Sequence, residues 1–241
     1  MSQMLWDRLL QSQGFGSRKW CRQMIEDGDV CVGGVPVGDY KNKVETTGLE
    51  FTVFDEPWRY REKVYLALHK PTDYECSRKA SFHPGVLELL PEQMTWREVQ
   101  PVGRLDHDTT GLLLMSDDGA FIHTQSSPKY HVPKVYVATT FEPVTPELVA
   151  LLLSGVKLED EPAPLSAVHC QALGSHELEI ILEQGKYHQV KRMLVAAGNH
   201  CTALKRTAIG KLTLESLGLA PGEWCFLEDS HLALLVKEGG Q

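Results

Sequence analysis

The run Leu112-Leu113-Leu114-Met115, entered through Thr109-Thr110-Gly111, constrains this chain more than any other stretch. Consecutive apolar residues behind a glycine turn read as a short, fully apolar strand, which needs a substantial core to bury it. Immediately before it stands Gly103-Arg104-Leu105-Asp106-His107-Asp108. If Arg104 to Asp106 is extended, the two-residue period puts guanidinium and carboxylate on one face. A carboxylate beside a guanidinium stays ionised and aimed, which is what a carboxylate nucleophile requires.

The 241 residues suffice for one domain or two, and 42% hydrophobic with 23% charged residues is the composition of a globular protein. No apolar run approaches the ~20 residues of a membrane span. The start, Met1 to Arg8, lacks the basic flank, apolar stretch and cleavage site of a secretion signal. Cys21, Cys31, Cys76, Cys170, Cys201 and Cys225 are scattered without a C-x-x-C pair, so reduced thiols are expected rather than a disulfide frame or zinc site. The expectation is a soluble cytoplasmic protein.

A net charge of −8 taken whole argues against a nucleic-acid partner. The distribution of that charge argues the other way. From Arg8 to Ile25 the chain has Arg8, Arg18, Lys19 and Arg22 and no acid. Gly119 to Phe141 holds Lys129 and Lys134 and again no acid. Gln184 to Leu214 holds Lys186, Lys191, Arg192, Lys205, Arg206 and Lys211, still without one. Long acid-free tracts of this kind point to a face that binds a polyanion.

The periodicities predict an α+β protein. Leu5, Leu9 and Leu10 mark a short helix ended by Gly14-Phe15-Gly16. Ser17 caps a second helix with Trp20, Met24 and Ile25 on one side and Gly28 as its stop. Val30 and Val32, then Gly33-Gly34, then Val35 and Val37 read as a hairpin. Glu45 to Arg61 reads as the end of this unit plus a linker. Strands follow at Val64–Leu68, Leu112–Met115, Lys134–Thr140 and Glu177–Leu182. Helices are expected after Asp118, after Thr145-Pro146 and from His188 to Ala197. Without strict βαβα alternation, the sheet is expected to be mainly antiparallel or mixed.

The stretch Leu5 to Gly34 resembles the alpha-L (S4-like) RNA-binding domain, with Gly33 where that family has Asn or Asp. Three further motifs resemble those of bacterial pseudouridine synthases that modify ribosomal RNA: Gly103-Arg104-Leu105-Asp106 with Thr109-Thr110-Gly111, Lys134-Val135-Tyr136, and Gly185-Lys186-Tyr187-His188-Gln189-Val190-Lys191-Arg192-Met193. His69 and Pro133 depart from the family's pattern. The resemblance implies an RNA-binding domain plus linker over 1–60 and a catalytic domain over 61–241. It implies Asp106 as nucleophile, Tyr136 stacked on the flipped uracil and Val190 packed beneath it. Arg104 would contact RNA around the target and fill the space the base leaves. Lys191 or Arg192 pairs with Asp106; the resemblance favours Lys191, which leaves Arg192, with Arg18, Lys19 and Arg22, for RNA.

Isomerising uridine breaks C1′–N1 and joins C1′ to C5 without redox change or hydrolysis, so no cofactor or metal is expected. A carboxylate can add to the base or assist loss of a C1′ hydrogen, and both routes stay open. The expected partner is ribosomal RNA, naked or within a partly assembled small subunit, with no membrane and the chain acting as a monomer. Tyr187-His188 resembles members acting on small-subunit RNA, large-subunit relatives tending to have Asn-Arg there. A large-subunit enzyme and a non-catalytic assembly factor are the competing readings. Asp106-x-Asp108-x-Thr110 also mimics a haloacid-dehalogenase-type phosphatase motif and a calcium loop. The phosphatase lacks its late acidic pair here, and the calcium loop lacks its terminal Glu.

Overall fold

The computed structural model describes residues 3–77 and 79–235. The chain divides into two compact units, Met1–Val64 with Leu90–Val99, and Tyr65–Leu89 with Gln100–Gln241.

In the first unit, β1 (Gln3–Leu5) leads into α1 (Trp6–Ser12) and α2 (Arg18–Glu26). Ser17 accepts the Trp20 N–H at 3.3 Å, the expected cap. The expected hairpin is β2 (Val30–Val32) and β3 (Val35–Pro36), turned by Gly33 and Gly34 at positive φ. β4 (Lys43–Glu45) pairs with β1. Glu45 to Arg61 is not a linker: β5 (Glu50–Val53) and β6 (Glu56–Arg59) complete a sheet of order β3-β2-β5-β6. Phe51 and Val53 point into the core with Trp6, Leu9, Leu10, Cys21, Met24 and Ile25. Trp20 does not join them; it is exposed.

The unit boundary also differs from the expected division at 60/61. The segment Leu90–Val99, which carries α3 (Glu92–Trp96), belongs with the first unit. Two close approaches explain why. Arg97 donates to the carbonyls of Arg61 and Glu62 at 2.9 and 3.0 Å. Gly14, at φ 88°, is approached so closely that a Cβ there would stand 2.2 Å from the Gln93 carbonyl oxygen. Only glycine permits that approach.

The second unit is built on a mixed sheet in which, among the described residues, nine strands take part. They are β7 (Tyr65–Lys70), β8 (Gln100–Pro101), β9 (Thr109–Ser116), β10 (Lys134–Thr140), β11 (His169–Ala172), β12 (Glu177–Leu182), β13 (Cys201–Ile209), β14 (Leu212–Thr213) and β15 (Trp224–Phe226). The main path runs β11-β12-β10-β13-β9-β7-β15, with only β13 and β9 parallel. β9 is central and buried along nearly its whole length. Gly111 is required where β13 pairs beside it, because a Cβ would stand 2.2 Å from the Arg206 carbonyl oxygen. Helices α4 (Gly119–Ser126), α5 (Pro146–Ser154), α6 (Gln189–Ala196), α7 (Leu214–Leu217) and α8 (Asp229–Ala233) complete the unit.

Asp118 and Thr145 cap α4 and α5 as expected. Val190, Met193 and Leu194 of α6 pack into one core cluster with Ala138, Leu178 and Ile180 of the sheet. Buried His69 bonds to the Leu219 carbonyl through Nδ1 at 2.7 Å, a structural use of an unusual residue. No cysteine is in a disulfide among the described residues. No described helix is long and apolar enough to cross a membrane.

Candidate active site

Asp106 lies on the loop joining β8 to β9, between buried Leu105 and the turn at His107-Asp108. The loop is irregular rather than extended, and Arg104 is exposed at its edge. Its backbone is held from several sides. The Leu105 N–H donates to the Cys76 sulfur at 3.4 Å, and the Thr109 N–H to the Asp106 carbonyl at 3.1 Å. Lys70, fully buried at the end of β7, donates to the carbonyls of Pro71, His107 and Thr109 at 2.9, 3.0 and 2.9 Å. An ammonium has three donors, and here each has an acceptor.

The side chains that hold Asp106 come from the start of α6. Lys191 Nζ stands 3.1 Å from Oδ2, and His188 Nε2 stands 3.0 Å from Oδ1. Lys191 also reaches Asp108 Oδ1 at 2.6 Å, so one cation bridges two carboxylates. Arg192 turns away to the Tyr187 carbonyl and Asp160, both at 3.3 Å. Lys191 rather than Arg192 therefore pairs with Asp106, and no guanidinium from Arg104 takes that place. Burial pushes the Asp108 carboxyl up, but the bond to Lys191 outweighs it and holds the group below the usual range. Lys191 mirrors this: burial pushes it down, and its bonds to Asp108 and Asp106 raise it above an ordinary lysine.

Around Asp106 opens a cavity of about 850 Å³, within the range of sites for small organic groups. Arg104, Tyr136, Lys134, Arg206 and His188 share its wall. Tyr136 stands on β10 opposite Ile180 of β12 and Arg206 of β13, near the middle of the sheet. Val190 is buried and meets a smaller cavity of about 60 Å³ that Asp106 and Tyr136 also line. Tyr136, Val190, Lys191, Arg104 and Asp106 are thus gathered at one place.

The basic tracts are less bare in space than in sequence. Asp7, 1% exposed and one residue outside the first tract, pairs with Arg18 at 2.8 Å and Arg22 at 2.7 Å. Burial raises the Asp7 carboxyl, but its bonds to the two arginines prevail and lower it. Lys186 pairs with Glu161 at 3.0 Å, and Arg206 is buried with Nε donating to the Leu112 carbonyl. Lys19 is exposed.

Two partners of the site are not evident from the sequence. Asp108 follows Asp106 by two residues, the same spacing at which Arg104 precedes it, so spacing alone does not choose between them. His188 sits inside the third motif at a left-handed φ of 46°, a conformation that positions the ring at the head of α6.

Residues 64–196 match the RNA pseudouridylate synthase family, and residues 7–49 match the S4 domain. The chain belongs to the RNA pseudouridylate synthase family. It is 38% identical over 233 residues to the uncharacterized RNA pseudouridine synthase YtzG of Bacillus subtilis, covering 95% of this chain and 97% of that one. It is 39% identical over 172 residues to ribosomal small subunit pseudouridine synthase A of Escherichia coli, covering 71% of this chain and 74% of the relative. A crystal structure of a pseudouridylate synthase superposes with a TM-score of 0.68 at 30% identity, over 96% of this chain and 99% of that one. This pseudouridine synthase is therefore an isomerase acting on RNA, with an S4 domain at its N-terminus.

The wall of its cavity carries a testable electrostatic strain. Lys134 is buried, donates to the Val132 carbonyl at 2.8 Å, and is pushed down to about 8 by burial, with Arg206 adding to the shift and Glu183 opposing it. The unfolded chain thus holds this proton more tightly than the folded one. Lys134's contribution to stability must rise with pH from about 8 toward the ordinary lysine value of ~10.4. The thiols of Cys21, Cys170 and Cys201, raised by burial to about 11, work in the opposite sense above their unfolded value. A difference measurement separates the two. The unfolding free energy of the wild type minus that of Lys134→Met is expected to grow between pH 8 and pH 10 in urea titrations; a flat difference would show that Lys134 is not strained.

Proposed function

We propose that this protein converts one uridine of small-subunit ribosomal RNA to pseudouridine, with Asp106 as the nucleophile. The observation carrying this reading is the Asp106 carboxylate, held at one oxygen by Lys191 and at the other by His188, on the wall of a cavity shared with Tyr136. An ammonium at one oxygen and an imidazole nitrogen at the other fix the orientation of the carboxylate, and a target flipped from its stack would enter the cavity. The uracil would stack on Tyr136, with Val190 beneath it. Relatives from Escherichia coli and Vibrio cholerae are named ribosomal small subunit pseudouridine synthase A. The Tyr187-His188 pair favours the same substrate. The first unit would dock the RNA, and the second would flip and isomerise the base.

The experiment is to incubate the protein with unmodified small-subunit and, separately, large-subunit RNA, then map pseudouridines by carbodiimide-block primer extension. One stop in small-subunit RNA is the expected result. A stop in large-subunit RNA alone would keep the chemistry and overturn the substrate. Binding without any stop, on naked RNA and on partly assembled subunits alike, would overturn the enzymatic reading.

Docking by α2 has its own test, and the structure dictates which residue to change. Reversing Arg18 would set a carboxylate against buried Asp7 and confound binding with folding. Lys19→Glu avoids this. It is expected to weaken RNA binding and to flatten the slope of log K against log salt by roughly 1, without change in melting temperature. An unchanged salt slope would remove Lys19 from the RNA face.

A further inference from the structure

Three large aromatic side chains of the first unit stand half-exposed around one groove. Trp20 of α2, Phe54 of the β5–β6 turn and Trp96 of α3 are 53, 54 and 55% exposed. They line a groove of about 640 Å³ together with Phe15 and Trp58, which pack against the core of the unit. Single exposed apolar residues are ordinary, but a cluster of them on one face marks an interaction site. The setting of these rings is rigid. Gly14 and Gln93, whose backbones meet closely, both line the groove. Ser17 accepts the Trp20 N–H, which fixes the start of α2. Phe54 holds a left-handed φ of 52°, costly for a bulky side chain, and its N–H donates to the Asp29 carbonyl at 2.9 Å. The Phe15 and Trp58 rings meet edge to face with centroids 5.1 Å apart.

The charge around the rings has one sign. Glu56 and Glu92 line the groove, and none of its lining side chains is basic. Glu56 is exposed and has no ionic partner among the described residues. The Glu92 carboxylate takes the neutral Trp96 indole N–H at 3.0 Å rather than a cation. Bases stack on exposed indoles, but their phosphates would enter an acidic groove with no cation to neutralise them. A basic polypeptide meets no such penalty. We propose that the groove docks a basic, proline-containing segment of a partner protein in the extended polyproline II conformation. Proline rings pack on aromatic faces, which the three exposed rings supply. A polyproline II segment makes no internal hydrogen bonds, so its carbonyls are open to a donor. The Trp20 indole N–H, without an acceptor among the described residues, is such a donor. The segment's shape is already formed, so little freedom is lost on binding. Its lysine or arginine side chains would face Glu56 and Glu92. The groove is lined by the first unit alone, so the assignment does not depend on the chemistry at Asp106.

The test pans random-sequence peptides displayed on phage against the full-length protein. Enriched peptides are then synthesised with a fluorophore and titrated by anisotropy. Proline together with lysine or arginine is expected to recur among them. Trp96→Ala and Trp20→Ala should each weaken their binding by about tenfold or more. Glu56→Lys changes an exposed side chain, so the melting temperature should hold while affinity falls at low salt and its salt dependence flattens. Failure to enrich any peptide, or enrichment of peptides lacking proline or basic residues, would overturn the proposal. Affinities indifferent to Trp96→Ala and Glu56→Lys would overturn it as well. A short single-stranded RNA that loses affinity with Trp96→Ala where the peptides do not would make the groove a base-stacking site instead.

Discussion

Asp106→Asn is expected to lower turnover by about a thousandfold or more, while RNA affinity stays equal or rises. The amide matches the carboxylate in shape but can neither add to a base nor take a proton. Binding should survive because the substitution removes a negative charge from a surface meant to meet phosphates. Folding should survive because the loop is held by backbone bonds and by Lys70, not by the Asp106 side chain. Lys191 also keeps Asp108 as an ionic partner at 2.6 Å. Asp108→Asn is the informative companion. It leaves Lys191 wholly to Asp106, so it is expected to reduce turnover by about tenfold or less. Single-turnover rates and filter-binding constants on the same RNA separate these outcomes. Lost binding with Asp106→Asn would make the aspartate a structural residue, and a larger loss with Asp108→Asn would move the nucleophile to position 108.

The parts legible in the sequence share a cause: their signals are local. Ser17, Asp118 and Thr145 announce helices because a capping oxygen serves an N–H two or three residues away. The stripe Val190, Met193, Leu194 marks the buried face of α6 because helical period is a property of adjacent turns. The parts that sequence hides depend on distance. Glu45 to Arg61 reads as the end of the hairpin unit plus a linker because its strands are short and their turn uses Phe54 and Asp55 at positive φ, where glycine would have signalled a hairpin. Leu90–Val99 joins the first unit through the approach of Gln93 to Gly14, far earlier in the chain. Charge follows the same rule. Counting acids along a tract misses Asp7 beside Arg18 and Arg22, and Glu161 beside Lys186, since ion pairs form across space. At the site, motifs mark Asp106, Tyr136 and Lys191 but not the part played by His188, because that depends on a left-handed backbone that no motif states.

Lys70→Met is expected to destabilise the protein by about 3 kcal/mol or more and, in what remains folded, to lower turnover by about a hundredfold. Methionine nearly matches lysine in length and is apolar, so the cavity stays filled. What is lost is the ammonium that three carbonyls face. The His107 carbonyl keeps one donor, the Asp73 N–H at 2.8 Å, but those of Pro71 and Thr109 are left poorer in a buried place. The cationic form itself is disfavoured there. Burial lowers Lys70 below an ordinary lysine, although Cys76, Asp108, Asp106 and Asp73 pull it back. Lys70 thus holds its three acceptors against the cost of its own desolvation. Two of these acceptors lie on the turn holding Asp106. The bonds to His107 and Thr109 bracket the carboxylate within three residues, and a displacement of about 1 Å would spoil its approach to a bound base. Equilibrium urea unfolding gives the stability change, and turnover at a temperature where both proteins are folded gives the second. A Lys70→Met protein that is less stable but turns over normally would confine the lysine to folding. One that matches wild type in both would show that the loop's remaining bonds suffice to hold Asp106.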